Sequence, residues 1–396
     1  MSRGPFDGRA TISGIGQSAV GRRLMRDGLD LTIEAIERAV ADAGLSFDDI
    51  DGVASYPGPG VPAPGFTGAD VSQVQTALGI RSRWYMGSIE TAAQVGPVIE
   101  ACMAVALGLA QHVVVFRSVW EGTAQAGGGR ASALVPGGEL PPHLQYSAPF
   151  GALSAANWLG LPATRYMHDH GLTKEQLGQV ALNGRRNAAL NPAAIYRDPM
   201  TMEDYLSARV ISTPFGLYDC DVPCDGATAI VVSRAGSAGL RRTPLVVESV
   251  GTGMYERPTW DQRADVTSMA AYDAAASMWE RTSLTAADVD VAQLYDGFTF
   301  LTVSWLDALG LVEHGRAGDL LDGGDRIARD GDLPLNTSGG QLSAGRLHGF
   351  GHLHEACVQL WGEGGERQVA RQPEIAVVGA GGGPVAGCLL LSNREA

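Results

Sequence analysis

The feature that most constrains this chain is a series of short apolar runs, ATISGIG, HVVVF, ATAIVVS, PLVVESVG, VAQLY, EIAVVG and CLLLS, separated by stretches with helical spacing of apolar residues. A strand covered on one face alternates apolar and polar residues, whereas a strand covered on both faces reads as an unbroken apolar run. These runs are of the second kind, so the chain is expected to fold as an α/β protein with helices on both sides of its sheets. The same grammar occurs twice. The N-terminal part reads strand (ATISGIG), helix (Leu29–Ala43), strand around Val53, helix (Val71–Leu78), long helix (Glu90–Leu109), strand HVVVF and strand ATAIVVS. From Arg242 it restarts with strand PLVVESVG, helix (Val266–Arg281), strand VAQLY, helix (Phe298–Leu309), helix (Leu347–Leu360) and the strands EIAVVG and CLLLS. Two α/β halves are therefore expected, 1–240 and 241–396, the first carrying a Gly/Ala-rich and then helical insertion over about 119–212. They read either as an internal duplication or as two unrelated domains.

The 396 residues exceed what one core sustains, about 250–300 residues, which agrees with two halves. A hydrophobic content of 45% with 18% charged residues excludes a disordered chain. Lys and Arg number 29 against 43 Asp and Glu, a formal net charge of −14, which argues against a nucleic-acid groove. No apolar run approaches the roughly 20 residues that span a bilayer, and the start MSRGPFDGRA has no apolar signal core, so a cytoplasmic protein without a membrane partner is expected. The five cysteines, Cys102, Cys220, Cys224, Cys357 and Cys388, sit mostly in apolar stretches and read as reduced core residues. Cys220 and Cys224 have no second pair to close a zinc tetrahedron, and no metal site is expected.

Four segments carry chemistry. In AQLYDGFTF an apolar strand ends at Tyr295 and Asp296. Strand ends are where open α/β sheets bind ligands, so Tyr295 reads as a pocket residue or a buried packing tyrosine, and Asp296 as a pocket residue or a helix cap. In NTSGGQLSAGRLHGFGHLHEA, Gly339, Gly340, Gly345 and Gly349 make a close-approach loop. His348 and His352 are expected on one helical face, as polar lining or, by spacing, as a metal pair. In VVGAGGGPVAGCLLL, Gly381, Gly382 and Gly383 offer backbone N–H groups to an oxyanion; a strand follows where a dinucleotide fingerprint needs a helix. The fourth segment, MGSIETAAQVGPVIEACMAVALGLAQHVVVF, opens the long helix with Ser88 and Thr91 nearby.

In this order and spacing the segments resemble the thiolase superfamily, most closely its sterol-carrier-protein-x, lipid-transfer branch. The helix with a small-residue start precedes HVVVF, YDGF stands for the tetrad before a helix, GRLHG for the G-H-P loop and GAGGG for the Cys-x-Gly-Gly-Gly loop. The resemblance implies a thiolase-like fold: two duplicated βαβαβαββ halves in a five-layer α-β-α-β-α sandwich. It also marks three departures. Thr91 stands at or near the nucleophilic cysteine, Arg346 at the histidine and Gly379 at the second cysteine, while Cys102 lies about three turns down the helix. Thiolate, base and acid are thus missing together, and acyl-enzyme chemistry by the usual route is excluded.

The same losses mark the steroid side-chain-cleaving aldolases of this branch, which break a β-hydroxyacyl-CoA by a retro-aldol step. That resemblance implies a carbon–carbon lyase acting on a 3-hydroxyacyl-CoA, with no cofactor in this chain. Tyr295 matches one of the family's tyrosines, and Arg346 stands where a second is expected. Retro-aldol cleavage needs a base for the β-hydroxyl and donors for the thioester enolate. Arginine cannot be the base, so Tyr295 takes that role with His348 as the alternative, and Arg346 stabilises the enolate or the phenolate. Asp296, Ser88, Thr91, Gly340, Gly381 and Gly382 are the expected substrate-binding residues. The partners implied are a second copy of the chain, joined through the N-terminal sheet, and a small OB-fold protein whose zinc ribbon would carry the only zinc, completing a heterotetramer and helping to bind CoA. Arg185 and Arg186 are the nearest candidates for a CoA phosphate, or else a solvated helix face. Two other readings remain open: a divergent thiolase or acyltransferase using Ser88 or Thr91, and a non-catalytic acyl-CoA or lipid carrier.

Overall fold

The computed structural model describes residues 4–57, 64–88, 90–126 and 145–394. Part of the expected insertion and of the Pro/Gly-rich loop after Ser55 lies outside these residues. The N-terminal half contains β1 (Ala10–Gln17), α1 (Gly28–Ala43), β2 (Gly52–Ser55), α2 (Val71–Leu78), β3 (Trp84–Gly87), α3 (Gly96–Ala106), β4 (His112–Trp120), a single turn α4 (Glu121–Ala124) and β7 (Asp225–Arg234). Between α4 and β7 come α5 (Ala155–His170), α6 (Lys174–Ala189), α7 (Met202–Ser207) and a small hairpin of β5 (Val210–Ser212) and β6 (Phe215–Gly216). The C-terminal half contains β8 (Leu245–Gly251), α8 (Ala270–Trp279), β9 (Val291–Leu294), α9 (Thr299–Ala308), α10 (Ala317–Leu321), α11 (Phe350–Leu360), β10 (Ile375–Gly381) and β11 (Ala386–Ser392).

The strands run β3-β2-β4-β7-β1-β8-β11-β10-β9. Read outward from the centre, β1-β7-β4-β2 and β8-β11-β10-β9 are the same series with the same directions: two antiparallel pairings, then a parallel one. Among the described residues the half-sheets pair where Thr11 and Ile12 meet Val246 and Leu245. Even β3 has a counterpart, because Leu335 forms a parallel bridge to Ala292 of β9, where β3 lies beside β2. The halves face each other across two helices. α11 packs on β9 and β10 with one side and on β1 and β7 with the other, and α3 packs on the N-terminal strands while the 3₁₀ turn before it meets β10 and β11. α1 and α8 cover the outer faces, completing five layers.

Local chemistry explains the boundaries. α1 starts where the Asp27 carboxylate accepts the Leu29 N–H and stops at Gly44, whose φ of 78° closes the helix. Gly16 lets α1 lie against β1, since a Cβ there would fall 2.2 Å from the Ala35 carbonyl oxygen. The helix expected over Glu90–Leu109 begins later, as a 3₁₀ turn (Ala93–Val95) continuing into α3, with Pro97 in its first turn, where no N–H is needed. The helix expected from Leu347 begins at Phe350, because His348 and Gly349 have φ of 50° and 77° and leave the helical path. Strand β3 lacks a clear sequence signal: it is an edge strand of four residues whose side chains alternate between half-buried and exposed.

Candidate active site

Tyr295 is the first residue after β9, and its position is set by its neighbours' backbones. The Tyr295 N–H donates to the Gly379 carbonyl at 3.0 Å, extending the pairing of β9 with β10. Asn336, in the left-handed region at φ 48°, clamps the strand end by accepting the Leu294 N–H at 2.7 Å and donating to the Leu294 carbonyl at 2.9 Å. Asn183 and Asn187 of α6 hold the Asn336 loop by donating to the carbonyls of Leu335 and Asn336. The phenol ring then lies between two glycines. A Cβ at Gly297 would be 2.6 Å from the ring, and one at Gly349 would be 3.6 Å from it.

Around this ring the protein buries four charges. The Arg346 guanidinium pairs with Glu121 and, at 3.3 Å, with Asp221. Asp221 also approaches Gly297, so it lies on the Tyr295 side of the pair. Arg117 is fully buried, stacks 4.8 Å from the Phe66 ring and reaches His348 Nδ1 at 3.1 Å. Burial pushes the Tyr295 phenol well above the usual tyrosine range; Asp221 adds to this, while Arg346 and the neighbouring Gln341 amide oppose it. Gln341 does so without the alignment of a full hydrogen bond. Burial alone would lower Arg346, but Asp221 and Glu121 more than reverse it and lock its charge. Burial lowers Arg117 to about 10, so it too stays cationic at neutral pH. The result is a neutral, desolvated phenol held among two guanidinium ions and two carboxylates.

Several expected site residues take other places. Asp296 neither faces a pocket nor caps the helix that follows it; its carboxylate accepts the Gln341 N–H at 2.8 Å and contacts His352 Nε2 at 3.0 Å, so it caps the π-helical turn Gly340–Ala344. Gly340, with φ of 60°, has no room for a side chain, since a Cβ would sit 1.9 Å from that carboxylate. His348 and His352 do not share a helical face: His348 precedes α11 and turns to Arg117 and Phe66, whereas His352 turns to Asp296. Since a guanidinium only donates, His348 Nδ1 is an acceptor and Nε2 holds the proton, which makes the ring a donor and not a free base. The Gly382 N–H is taken by the Val385 carbonyl at 2.9 Å, and the Gly381 carbonyl accepts from Trp305, so the glycine loop is a tight hairpin under an indole. Gly379 carries no side chain because Trp305 fills its space, 2.8 Å from where a Cβ would be.

The opening of the long helix also differs from expectation. The chain turns into the helix at a left-handed elbow, Ala93, two residues after Thr91. Ala93 has φ of 50°, is buried, and its methyl lies 2.7 Å from where a Gly381 side chain would begin. It offers no nucleophile. The Ser88 hydroxyl donates to the Glu90 carbonyl at 2.7 Å, and Thr91 points to Glu100 at 3.5 Å. Burial raises the pKa of all five cysteines, so none is a thiolate at neutral pH. Arg185 is neither solvated nor open to a phosphate: it is buried beside Tyr196 and Tyr218 and bonds Ser343 at 3.2 Å. Among the described residues no cluster of three His, Cys, Asp or Glu could hold a metal, and no helix is long and apolar enough to cross a membrane.

Arg117, Glu121 and Asp221 escaped the sequence reading. Their one signal is charge inside apolar surroundings, Arg in HVVVFRSVWEG and Asp in YDCDVPCDG, which burial without pairing would forbid.

Comparison with known proteins identifies the fold and the family. Residues 253–390 match the family model described as thiolase C-terminal domain-like. The chain is 34% identical over 399 residues to 17-hydroxy-3-oxo-4-pregnene-20-carboxyl-CoA lyase of Mycobacterium tuberculosis, covering 97% of this chain and 100% of that one. It is 32% identical over 398 residues to the steroid side-chain-cleaving aldolase of Thermomonospora curvata, covering 98% and 99%. Among solved structures, the Ltp2-ChsH2(DUF35) aldolase superposes with a TM-score of 0.85 at 32% identity over 98% of this chain and 99% of that one. Human mitochondrial 3-ketoacyl-CoA thiolase, 13% identical over 97% and 99% of the two chains, shares the fold with a TM-score of 0.67.

Proposed function

The chain belongs to the thiolase superfamily, in the branch of the steroid side-chain-cleaving aldolases; it is a retro-aldolase acting on CoA thioesters, and we propose that Tyr295 moves the proton that starts its reaction. The observation that carries this assignment of roles is the Tyr295 phenol, desolvated and set among Arg346, Asp221 and Gln341, with no nucleophile at the Ala93 elbow. In its phenolate form Tyr295 takes the β-hydroxyl proton of a 3-hydroxyacyl-CoA. The Cα–Cβ bond breaks, the β-carbon leaves as a ketone or aldehyde, and the electron pair passes to the thioester as an enolate. Protonation of the α-carbon then gives the shorter acyl-CoA. The raised phenol pKa brings its proton affinity close to that of the alcohol, so transfer is nearly balanced. Arg346 opposes the rise in the phenol pKa and so stabilises the phenolate. The chain itself needs no cofactor.

The substrate is a thioester on a steroid side chain, in keeping with the carboxyl-CoA named for one curated relative and the steroid side chain named for the other. A DUF35 partner of OB-fold and zinc-ribbon type completes the CoA site, in keeping with the solved Ltp2-ChsH2(DUF35) aldolase. With Arg185 occupied internally, delegation of the CoA phosphates to such a subunit fits this acidic chain. A second copy joins along the open edge of β3, where Tyr85 is exposed. The test is turnover of a panel of 3-hydroxyacyl-CoAs, steroidal and simple, by the purified chain with and without that partner. The expected outcome is carbonyl release from steroidal members, increased by the partner. Release only from 3-ketoacyl-CoAs, and only with free CoA, would overturn the reading in favour of a thiolase.

A further inference from the structure

The twofold repeat of the fold gives Tyr295 a counterpart. β2 and β9 hold the same place in their half-sheets, each parallel to the strand that follows its central helix, and each ends one residue before a tyrosine: Ser55 before Tyr56, Leu294 before Tyr295. The surroundings of the two differ. Tyr295 is enclosed, whereas Tyr56 is half-buried and lines a cavity of about 450 Å³ with Thr91, Thr252, Met254, Pro258 and Val385. The Tyr56 hydroxyl has no hydrogen-bond partner among the described residues, so it is free to meet a ligand in that cavity. Both phenols lie within electrostatic reach of Arg117, and of each other.

We propose that Tyr56 is a second catalytic residue, the acid that delivers a proton to the α-carbon of the thioester enolate. The inference rests on the retro-aldol reading above. Burial raises the Tyr56 pKa and Arg117 lowers it only in part, so the phenol is protonated at neutral pH, as an acid must be. The step balances. Tyr295 has gained the β-hydroxyl proton, the Cα–Cβ pair resides on the enolate, and the Tyr56 O–H bond breaks as the new Cα–H bond forms. This leaves Tyr56 as phenolate and Tyr295 as phenol, and one proton passed from Tyr295 to Tyr56 restores the starting state. The cavity in front of Tyr56 would hold the short acyl part of the thioester, while the departing carbonyl compound leaves from the Tyr295 side.

Tyr56→Phe removes one oxygen that bonds none of the described residues, so it is expected to fold with an unchanged melting temperature. In steady state its kcat for acyl-CoA release is expected to fall about 100-fold or more at unchanged KM. The deciding readout is rescue. An enolate that cannot be protonated accumulates and is oxidised by hexacyanoferrate(III), so adding that oxidant should restore carbonyl release by Tyr56→Phe. A kcat within about threefold of the wild type, or a loss that the oxidant does not relieve, would overturn the proposal. Failure of the wild type to cleave any 3-hydroxyacyl-CoA would instead count against the retro-aldol reading, and the wild-type control separates the two.

Discussion

The two strand ends that face each other across the central helices carry the same residue in opposite settings. In the C-terminal half, Tyr295 is fixed by Asn336, two glycines and the Arg346–Glu121–Asp221 cluster. In the N-terminal half, Tyr56 looks into a cavity and bonds no described residue. Equivalent positions of one repeated scaffold thus have different surroundings: Tyr295 sits among charges drawn from both halves, and Tyr56 borders a cavity lined from both halves. A site between two such positions can hold charge on one side and substrate on the other.

Breaking the charged side should cost most. Arg346→Met leaves Glu121 and Asp221 without their cation, and a loss of about 3–5 kcal/mol in unfolding free energy is expected by denaturant titration, together with loss of turnover. Gly379→Ala forces a methyl against Trp305 and should cost about 1–3 kcal/mol in the same titration, without touching the charges. Next comes pH. Because burial raises the Tyr295 pKa, its active phenolate is the minor form at neutral pH, and kcat/KM for cleavage should climb about tenfold per unit across the neutral range. The same shift has a stability consequence. The folded state holds the phenol proton more tightly than the unfolded chain, so the contribution is complete below the unfolded value of about 10 and is lost as pH rises toward the folded value. Alkaline unfolding should therefore set in above about pH 10 and be displaced upward in Tyr295→Phe. The smallest effect is expected for Ser88→Ala. Its hydroxyl bonds the Glu90 carbonyl, and cleavage should stay within about twofold of wild type, a change under 0.5 kcal/mol.

The architecture was largely legible in the chain, because buried strands write unbroken apolar runs. The runs around Val113, Ile230, Val247 and Leu390 all became strands of the double sheet. Edge strand β3 was not, since half its side chains are exposed and no run forms. Tyr295 was legible as a residue at a strand end. What the chain could not disclose is pairing at long range: Glu121 and Arg346 are separated by 225 positions, and no local pattern ties them. The left-handed residues Ala93 and His348 misled for a related reason. Neither is glycine, so nothing in the sequence announces that α3 and α11 begin beyond them, and the helical face expected for His348 and His352 does not form. Gly340 looks like a ligand surface until the Asp296 carboxylate is seen filling the space beside it, and Gly379, at the place of the family's second cysteine, has that space taken by the Trp305 ring.

The central claim is that carbon–carbon cleavage here runs through a phenol and needs no covalent intermediate. The most direct test is carbonyl release from a steroidal 3-hydroxyacyl-CoA with no free CoA present, comparing wild type with Tyr295→Phe at equal, verified folding. The account predicts release by the wild type and a loss of about 10³-fold in the variant, the range expected for removing a general base. Equal rates in the two proteins, or release that begins only when free CoA is added, would contradict it.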